Sequence, residues 1–155
     1  MTKRPFIETI YGQDGVHPDP YLTRIGWDVG LKLHIFHRGD KDPDFHDHQW
    51  DFWTFPLTSY VEEVLQHDGT VKREIVRAFR LHRRPAEHRH RVVGRAYGVG
   101  KIVTLCWSGP KRKAWSFFVR VDQRHGLLSP VQEVPWRDYV FGSEKWWEPY
   151  RLVSD

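Results

Sequence analysis

The chain has 155 residues, the length of one ordinary domain, and can bury roughly two-thirds of the surface that its unfolded form exposes. Its net charge of +4 is too small to require a nucleic-acid partner. A single cysteine, Cys106, excludes an internal disulfide framework and suits a reducing compartment. No apolar run has the length of a membrane span. We therefore expect a cytoplasmic protein that does not cross a membrane.

The aromatic content favours an all-β fold. Phe, Trp and Tyr make up 15% of the residues, and eight of them are Trp. Large flat side chains suit pleated surfaces and barrel interiors.

Residues 1–30 contain scattered Pro and Gly without sustained periodicity, which predicts a loop-rich lead-in with one short strand near Phe6–Ile10. From residue 31 the pattern changes, because Leu31, Leu33 and Ile35 alternate with polar neighbours as in a half-buried strand. Residues 46–56, rich in Trp and Phe, predict the next strand.

The turn dipeptide Asp68-Gly69 separates two further predicted strands, at 59–66 and 71–79, and indicates a hairpin. Apolar runs at 101–107 and 114–121 predict two more strands. Short strands at nearly regular spacing are typical of a sandwich or barrel. We expect one domain over residues 1–155, with its barrel core at 31–140 and a packed C-terminal tail with a short helical turn at 135–147.

Two His-x-His pairs are the most informative feature of the chain: His46-Asp47-His48, followed by Asp51, and His88-Arg89-His90. On a strand, side chains two residues apart project to the same face, so each pair can direct two imidazoles at one point. Neutral imidazole with carboxylate is a ligand set for iron, manganese or zinc. The alternative is a solvated strand face and a basic surface patch at 83–91.

These features resemble the cupin superfamily, whose fold is a small jelly roll, also called a double-stranded β-helix. In the usual cupin pattern the first motif supplies two His and a Glu, and the second motif supplies one His. By this resemblance His46 and His48 match the paired histidines, Asp51 stands near the Glu position, and His90 best matches the last histidine. More narrowly, the segments 33–35, 46–52, 90–92 and 109–117 are similar to a group of small, poorly characterised cupins from bacteria and phages.

The sequence also departs from that pattern. Strict alternation from His48 turns Asp51 to the opposite face, so Asp51 can be a ligand only if a bulge re-aims it. Otherwise it can orient an imidazole from behind; we favour ligation. His88 is either a fourth nitrogen ligand or a residue at the pocket mouth. His34 and Tyr60 are further candidates for the pocket lining, with packing as the alternative for both.

The resemblance implies a divalent metal, with Fe favoured over Mn, Zn and Ni. We expect an iron-dependent oxidoreductase of the dioxygenase type that acts on a small molecule, in a cavity that Trp50, Phe52 and Trp53 keep dry. The alternatives are an isomerase or lyase with Mn or Zn, and a non-enzymatic metal-binding scaffold such as a phage-encoded structural, sensor or interaction module. Nucleic acid is the weakest candidate partner, and the resemblance allows a homodimer. No nucleotide-cofactor motif is present.

Overall fold

The computed structural model describes residues 5–11, 19–27, 30–126 and 129–152. In this part of the chain, twelve β-strands form two six-stranded antiparallel sheets. Sheet A has the order β1 (Phe6–Ile10), β2 (Leu22–Gly26), β3 (Leu31–Phe36), β10 (Ile102–Ser108), β5 (Phe52–Pro56) and β8 (His82–Arg84). Sheet B has the order β12 (Val131–Pro135), β11 (Ser116–Arg120), β4 (Phe45–His46), β9 (His90–Arg95), β6 (Tyr60–Leu65) and β7 (Val71–Val76).

From β4 onward the chain passes repeatedly between the two sheets. Strand β4 belongs to sheet B, β5 to sheet A, β6 and β7 to B, β8 to A, β9 to B, β10 to A, and β11 and β12 to B. This winding is the jelly roll that the sequence predicts. After β12 comes one short helix, α1 (Trp136–Phe141), and single 3-10 turns lie at Gln123–His125 and Glu148–Tyr150. The predicted all-β class with a short helical tail is confirmed.

Alternation along the central strands of sheet A separates an inner polar face from an outer aromatic face. Thr54 on β5 and Thr104 on β10 are buried, and their hydroxyl oxygens lie 2.5 Å apart. Trp53 and Trp107 pair across the same two strands, one position from Thr54 and three positions from Thr104, and therefore face outward. There they line an apolar groove on the outside of the barrel. The expectation that Trp53 walls the inner cavity was wrong.

Apolar side chains from both sheets fill one end of the space between them. Tyr60, Val76 and Val92 of sheet B pack with Ile102 of sheet A, and Phe36 lies against this cluster. Burial of such side chains contributes about 1.5–3 kcal/mol each. Tyr60, a candidate for the pocket lining, is therefore a core residue at this end of the barrel.

The segment before residue 31 holds more structure than the sequence predicts. The strand expected near Phe6–Ile10 is present as β1, but a second strand, β2, follows it and pairs with both β1 and β3. Five residues between Pro-containing and Gly-containing segments carry too little periodicity to be recognised. The lead-in is therefore an extension of sheet A, which does not begin at residue 31.

Residues 46–56 form two strands in different sheets, where the sequence predicts one. Strand β4 ends at His46 in sheet B, and β5 begins at Phe52 in sheet A. Local composition favours extended backbone on both sides of the crossing and carries no information on the sheet that each half joins. Both His-x-His pairs consequently lie at a strand end, since β9 begins only at His90.

The predicted hairpin is confirmed. Strands β6 and β7 pair along their whole length, from Tyr60 opposite Val76 to Leu65 opposite Val71. In the turn, the backbone N–H of Thr70 donates to Asp68 at 2.9 Å, and Gly69 has a φ of 86°. Glycine adopts that left-handed conformation without steric cost.

The C-terminal tail packs against sheet B through stacked aromatic rings. The Tyr139 ring of α1 is stacked on Phe117 at 4.0 Å and on Trp147 at 5.6 Å. Its hydroxyl donates to Asp44 at 2.7 Å. Trp147 and Phe117 are both fully buried, so Tyr139 joins the tail to the barrel.

We expect Tyr139→Ala to destabilise the protein by about 3–5 kcal/mol, as large-to-small changes of packed aromatic residues do. Phe141→Ala, on the same helix but with a side chain 75% exposed, should cost less than about 0.5 kcal/mol. Urea unfolding of both variants measures the two losses. Equal losses would show that the tail does not stabilise the barrel through this stack.

Candidate metal centre

The pairing of β4 with β9 brings the two His-x-His segments together. His46 lies directly opposite His90 in the ladder of sheet B. His48 follows two residues later, and its backbone N–H donates to the carbonyl of Ala86 at 3.0 Å. This bond holds the chain after β4 beside the segment that leads into β9. Three imidazoles therefore meet at one point, although only His46 and His90 belong to strands.

The three rings form a compact group. Their centroids are 5.3 Å apart for His46 and His48, and 5.1 Å from each of these to His90. One ring nitrogen from each lies within 4.8 Å of the other two, and the Nε2 atoms of His48 and His90 are 2.9 Å apart. Two nitrogens that bind one ion at about 2.0–2.1 Å stand about 3 Å from each other. The spacing fits a shared metal ion.

Burial keeps the imidazoles of His46 and His48 neutral, which is the form that binds a metal. It lowers the pKa of His46 to about 4, against the opposing effect of the Asp40 charge. It also lowers the pKa of His48 well below its usual value, and the neighbouring His90 and His46 add to the shift. Near neutral pH neither ring has a proton to lose before it binds an ion.

Glu62 is a fully buried carboxylate behind the histidines, and the sequence reasoning missed it. Its Oε2 accepts from Nδ1 of His90 at 2.8 Å, and its Oε1 lies 3.2 Å from Nε2 of His88. Arg84 forms an ion pair with the same Oε1. Burial alone raises the pKa of Glu62, but the hydrogen bonds from His88 and His90 and the charge of Arg84 bring it below its usual value.

The contact between Glu62 and His90 is typical of a metal-binding histidine. Such a histidine donates one ring N–H to a carboxylate, which fixes its tautomer and leaves the other nitrogen for the ion. In His90 the Nδ1 atom faces Glu62, and Nε2 faces His48. The sequence does contain a signal for Glu62, since it alternates with Tyr60 and Val64 on the buried face of β6.

A second group of possible ligands consists of Glu62, His88 and His90. It fits a metal less well, because the Arg84 guanidinium already occupies one oxygen of Glu62 and would repel a second cation. His88 therefore lies beside the three-histidine group as a partner of Glu62.

The structure does not bring Asp51 to the histidines. Asp51 belongs to neither group of possible ligands. Its carboxylate accepts from the backbone N–H of Ala86 at 2.8 Å and forms ion pairs with Arg83 and Arg112. The Ala86 bond and the Arg112 contact lower its pKa. Because the chain passes from sheet B to sheet A just before Phe52, Asp51 connects surface loops instead of pointing inward.

His34 lies inside the barrel, on β3. It pairs with Thr104, whose side chain is on the inner face of sheet A. Its Nε2 is buried and has no hydrogen-bond partner among the residues that the structure describes. Burial lowers its pKa to about 3, and the charges of Arg24 and Lys32 add to the shift.

Aromatic rings enclose the three histidines. Phe52 meets His48 edge to face at 4.6 Å, and Phe117 lies 6.0 Å from His46. Trp115 lies 6.4 Å from His46 and is stacked on Trp136. Of the three aromatic residues predicted to wall the cavity, Phe52 contacts the site.

No model of a protein family matches the sequence, and neither does any curated protein. Solved structures do match the fold. Fe(II)-HppE with the alternative substrate (S)-1-HPP aligns at a TM-score of 0.51 and 12% identity over 70% of this chain and 60% of that one. The Drosophila melanogaster CENP-C cupin domain aligns at a TM-score of 0.50 and 8% identity, over 70% of this chain and 80% of that one. Drosophila melanogaster CENP-C bound to CAL1 aligns at a TM-score of 0.51 and 10% identity, over 70% of this chain and 81% of that one.

The chain has a cupin fold. The candidate metal centre lies between the two sheets of this fold, where β4 meets β9. The matched region is about three-fifths of the HppE chain. No helix in the described ranges combines the length and apolar character of a membrane span.

We expect the metal-free protein to lose stability as the pH falls from about 6.5 to about 4. The pKa of His46 is about 4 in the folded chain, below the 6.5 of an unperturbed histidine, so the unfolded chain takes up a proton first. The slope is at most about 1.4 kcal/mol per pH unit for each such histidine. Urea unfolding between pH 4.5 and 7.5 measures it. A His46→Asn variant should have a shallower slope, and an unchanged slope would contradict the assignment.

Proposed function

We propose that this protein binds a divalent transition metal, iron first, through His46, His48 and His90, and that it is an oxidoreductase of the dioxygenase type acting on a small molecule. The observation that carries the proposal is the convergence of three imidazoles, with the 2.9 Å spacing of Nε2 in His48 and His90. The likeness to a structure of Fe(II)-HppE supports iron.

Three histidine ligands leave coordination positions open, as in catalytic and not in structural sites. When bound, the metal supplies Lewis acidity and a template on which substrate and dioxygen can be oriented. Glu62 holds His90 in the tautomer that presents Nε2, and Arg84 balances the buried charge of Glu62. Phe52, Phe117 and Trp115 limit access of water to the centre.

Metal analysis followed by oxygen consumption tests the proposal. We expect about one ion per chain after reconstitution with Fe(II) under anaerobic conditions, and oxygen uptake that depends on a substrate from a small-molecule panel. Reconstitution with Mn(II) or Zn(II) is the control. Conversion of a substrate without oxygen uptake by the Mn(II) or Zn(II) form, and none by the Fe(II) form, would favour the isomerase or lyase alternative.

A non-enzymatic scaffold is the second candidate. Two observations favour it: the likeness to CENP-C, a protein solved in complex with CAL1, and the apolar groove on the outer face of sheet A. In that case the metal would hold β4 and β9 together, and no substrate would have access to it. Six-coordinate iron that does not react with nitric oxide would support the scaffold, because nitric oxide requires an open position on the ion.

A further inference from the structure

Two nitrogen groups on β3 face the interior of the barrel. In the ladder between β3 and β10, Lys32 lies opposite Cys106, and His34 lies opposite Thr104. Cys106 and Thr104 are buried, and both are within hydrogen-bond distance of the inward Thr54. Because facing residues of paired strands share a face of the sheet, Lys32 and His34 project to the inside.

His34 has hydrogen-bonding capacity that no described residue satisfies. Its Nε2 is buried without a partner, whereas the large majority of buried side-chain polar atoms in proteins are bonded. The charges that lower its pKa are cationic, those of Arg24 and Lys32. Arg24 already has an acidic partner in Glu8. The environment of this nitrogen therefore favours a negatively charged or oxygen-rich ligand.

Lys32 carries a charge that no acid balances within the described ranges. Its Nζ donates to the Ser108 hydroxyl at 3.3 Å and lies 5.6 Å from the centre of the Trp50 ring. Glu62, the carboxylate beside the three histidines, is already paired with Arg84. A half-buried ammonium beside an aromatic ring can therefore accept an anion.

Both groups share the inner face of sheet A with Phe52, which contacts the three-histidine centre. Phe52 contacts the His48 ring and pairs in the ladder with Ser108, the residue that binds Lys32. A small molecule held by β3 would therefore extend past Phe52 toward the histidines.

We propose that Lys32 and His34 form the anion-binding part of the substrate site. The ammonium of Lys32 and the imidazole Nε2 of His34 bind an oxyanion of the substrate, a carboxylate first. The rest of the substrate reaches toward His46, His48 and His90. Two positions apart on one strand, the two residues have Cα atoms about 7 Å apart, within reach of one oxyanion. Charge-assisted hydrogen bonds of this kind are strong and directional. The substrate class, a small organic anion, rests on the proposed function, but the anion site does not need the metal.

Benzoate and its neutral analogue benzamide test the site in metal-free protein. We expect benzoate to shift the backbone NMR signals of β3 and of Ser108. Benzamide should bind at least about tenfold more weakly than benzoate. Acetate and inorganic phosphate show whether the site selects carboxylates or accepts other oxyanions. If none of the three anions shifts these signals, or if benzoate and benzamide bind equally, the proposal is overturned.

Variants locate the binding. Lys32→Gln and His34→Leu should each weaken benzoate binding about tenfold. His34→Gln keeps a hydrogen-bond donor and should retain most of the affinity for benzoate. Lys72→Gln removes the same charge from an exposed position on sheet B and should have no effect. If Lys32→Gln binds benzoate with the affinity of the wild type, the proposal is wrong.

Metal content of the same variants separates this inference from the proposed function. We expect Lys32→Gln to bind as much metal as the wild type. Benzoate binding that depends on Lys32 in a protein without metal affinity would leave the anion site standing and overturn the proposed function. A protein that binds metal but does not bind benzoate would support the proposed metal centre and overturn the anion site.

Discussion

Replacing His48 and His90 together by alanine is expected to abolish metal binding. The two Nε2 atoms that face each other at 2.9 Å are then both removed, and His46 alone cannot retain an ion. At a free metal concentration a thousandfold above Kd, the wild type should gain about 4 kcal/mol of stability from the metal, and the variant none. Elemental analysis and thermal unfolding with and without metal measure both effects.

A matched control replaces the same number of histidines elsewhere. His67 lies in the exposed turn between β6 and β7. His82 lies on β8, and its Nε2 is within hydrogen-bond distance of the backbone carbonyl of Arg77. Alanine at both positions should leave metal content and metal-induced stabilisation unchanged. Equal metal loss in the control and the test variant would mean that the ion is held at another place.

Glu62→Leu is expected to have two separate effects. It leaves Arg84 buried without its partner, which should destabilise the metal-free protein by about 3–5 kcal/mol. It also removes the acceptor of His90 Nδ1, and loss of such a contact typically weakens metal binding about 10–100-fold. Urea unfolding and a competitive metal titration measure the two losses independently.

Glu63 provides the control on the neighbouring position of β6. It faces away from the histidines and pairs with Arg73 and Arg91, so Glu63→Leu should cost about 1–2 kcal/mol and leave metal affinity unchanged.

A second variant separates the roles of Glu62. Combining Glu62→Leu with Arg84→Met removes the unpaired charge, and should restore most of the stability without restoring metal affinity. If Glu62→Leu binds metal as tightly as the wild type, Glu62 does not support the centre.

Much of the fold could be predicted because its evidence is local. Alternation of Leu31, Leu33 and Ile35 indicates β3, and Asp68-Gly69 indicates the turn between β6 and β7. The passage from β4 to β5 could not be predicted, because extended backbone has the same local signature whichever sheet it joins. That passage decides the position of Asp51, which follows the crossing segment to the surface.

The sequence by itself determined the all-β class, the hairpin and the residue types available for a metal, since composition, periodicity and turn chemistry act within a few residues of each other. Only the tertiary structure decided which of those residues meet. His46 and His90 are 44 positions apart, and the pairing of β4 with β9 makes them neighbours. Glu62 reaches His90 for the same reason, because β6 lies beside β9 in the sheet. A carboxylate acts at a metal centre through its distance from the ligands in space, and strand order sets that distance.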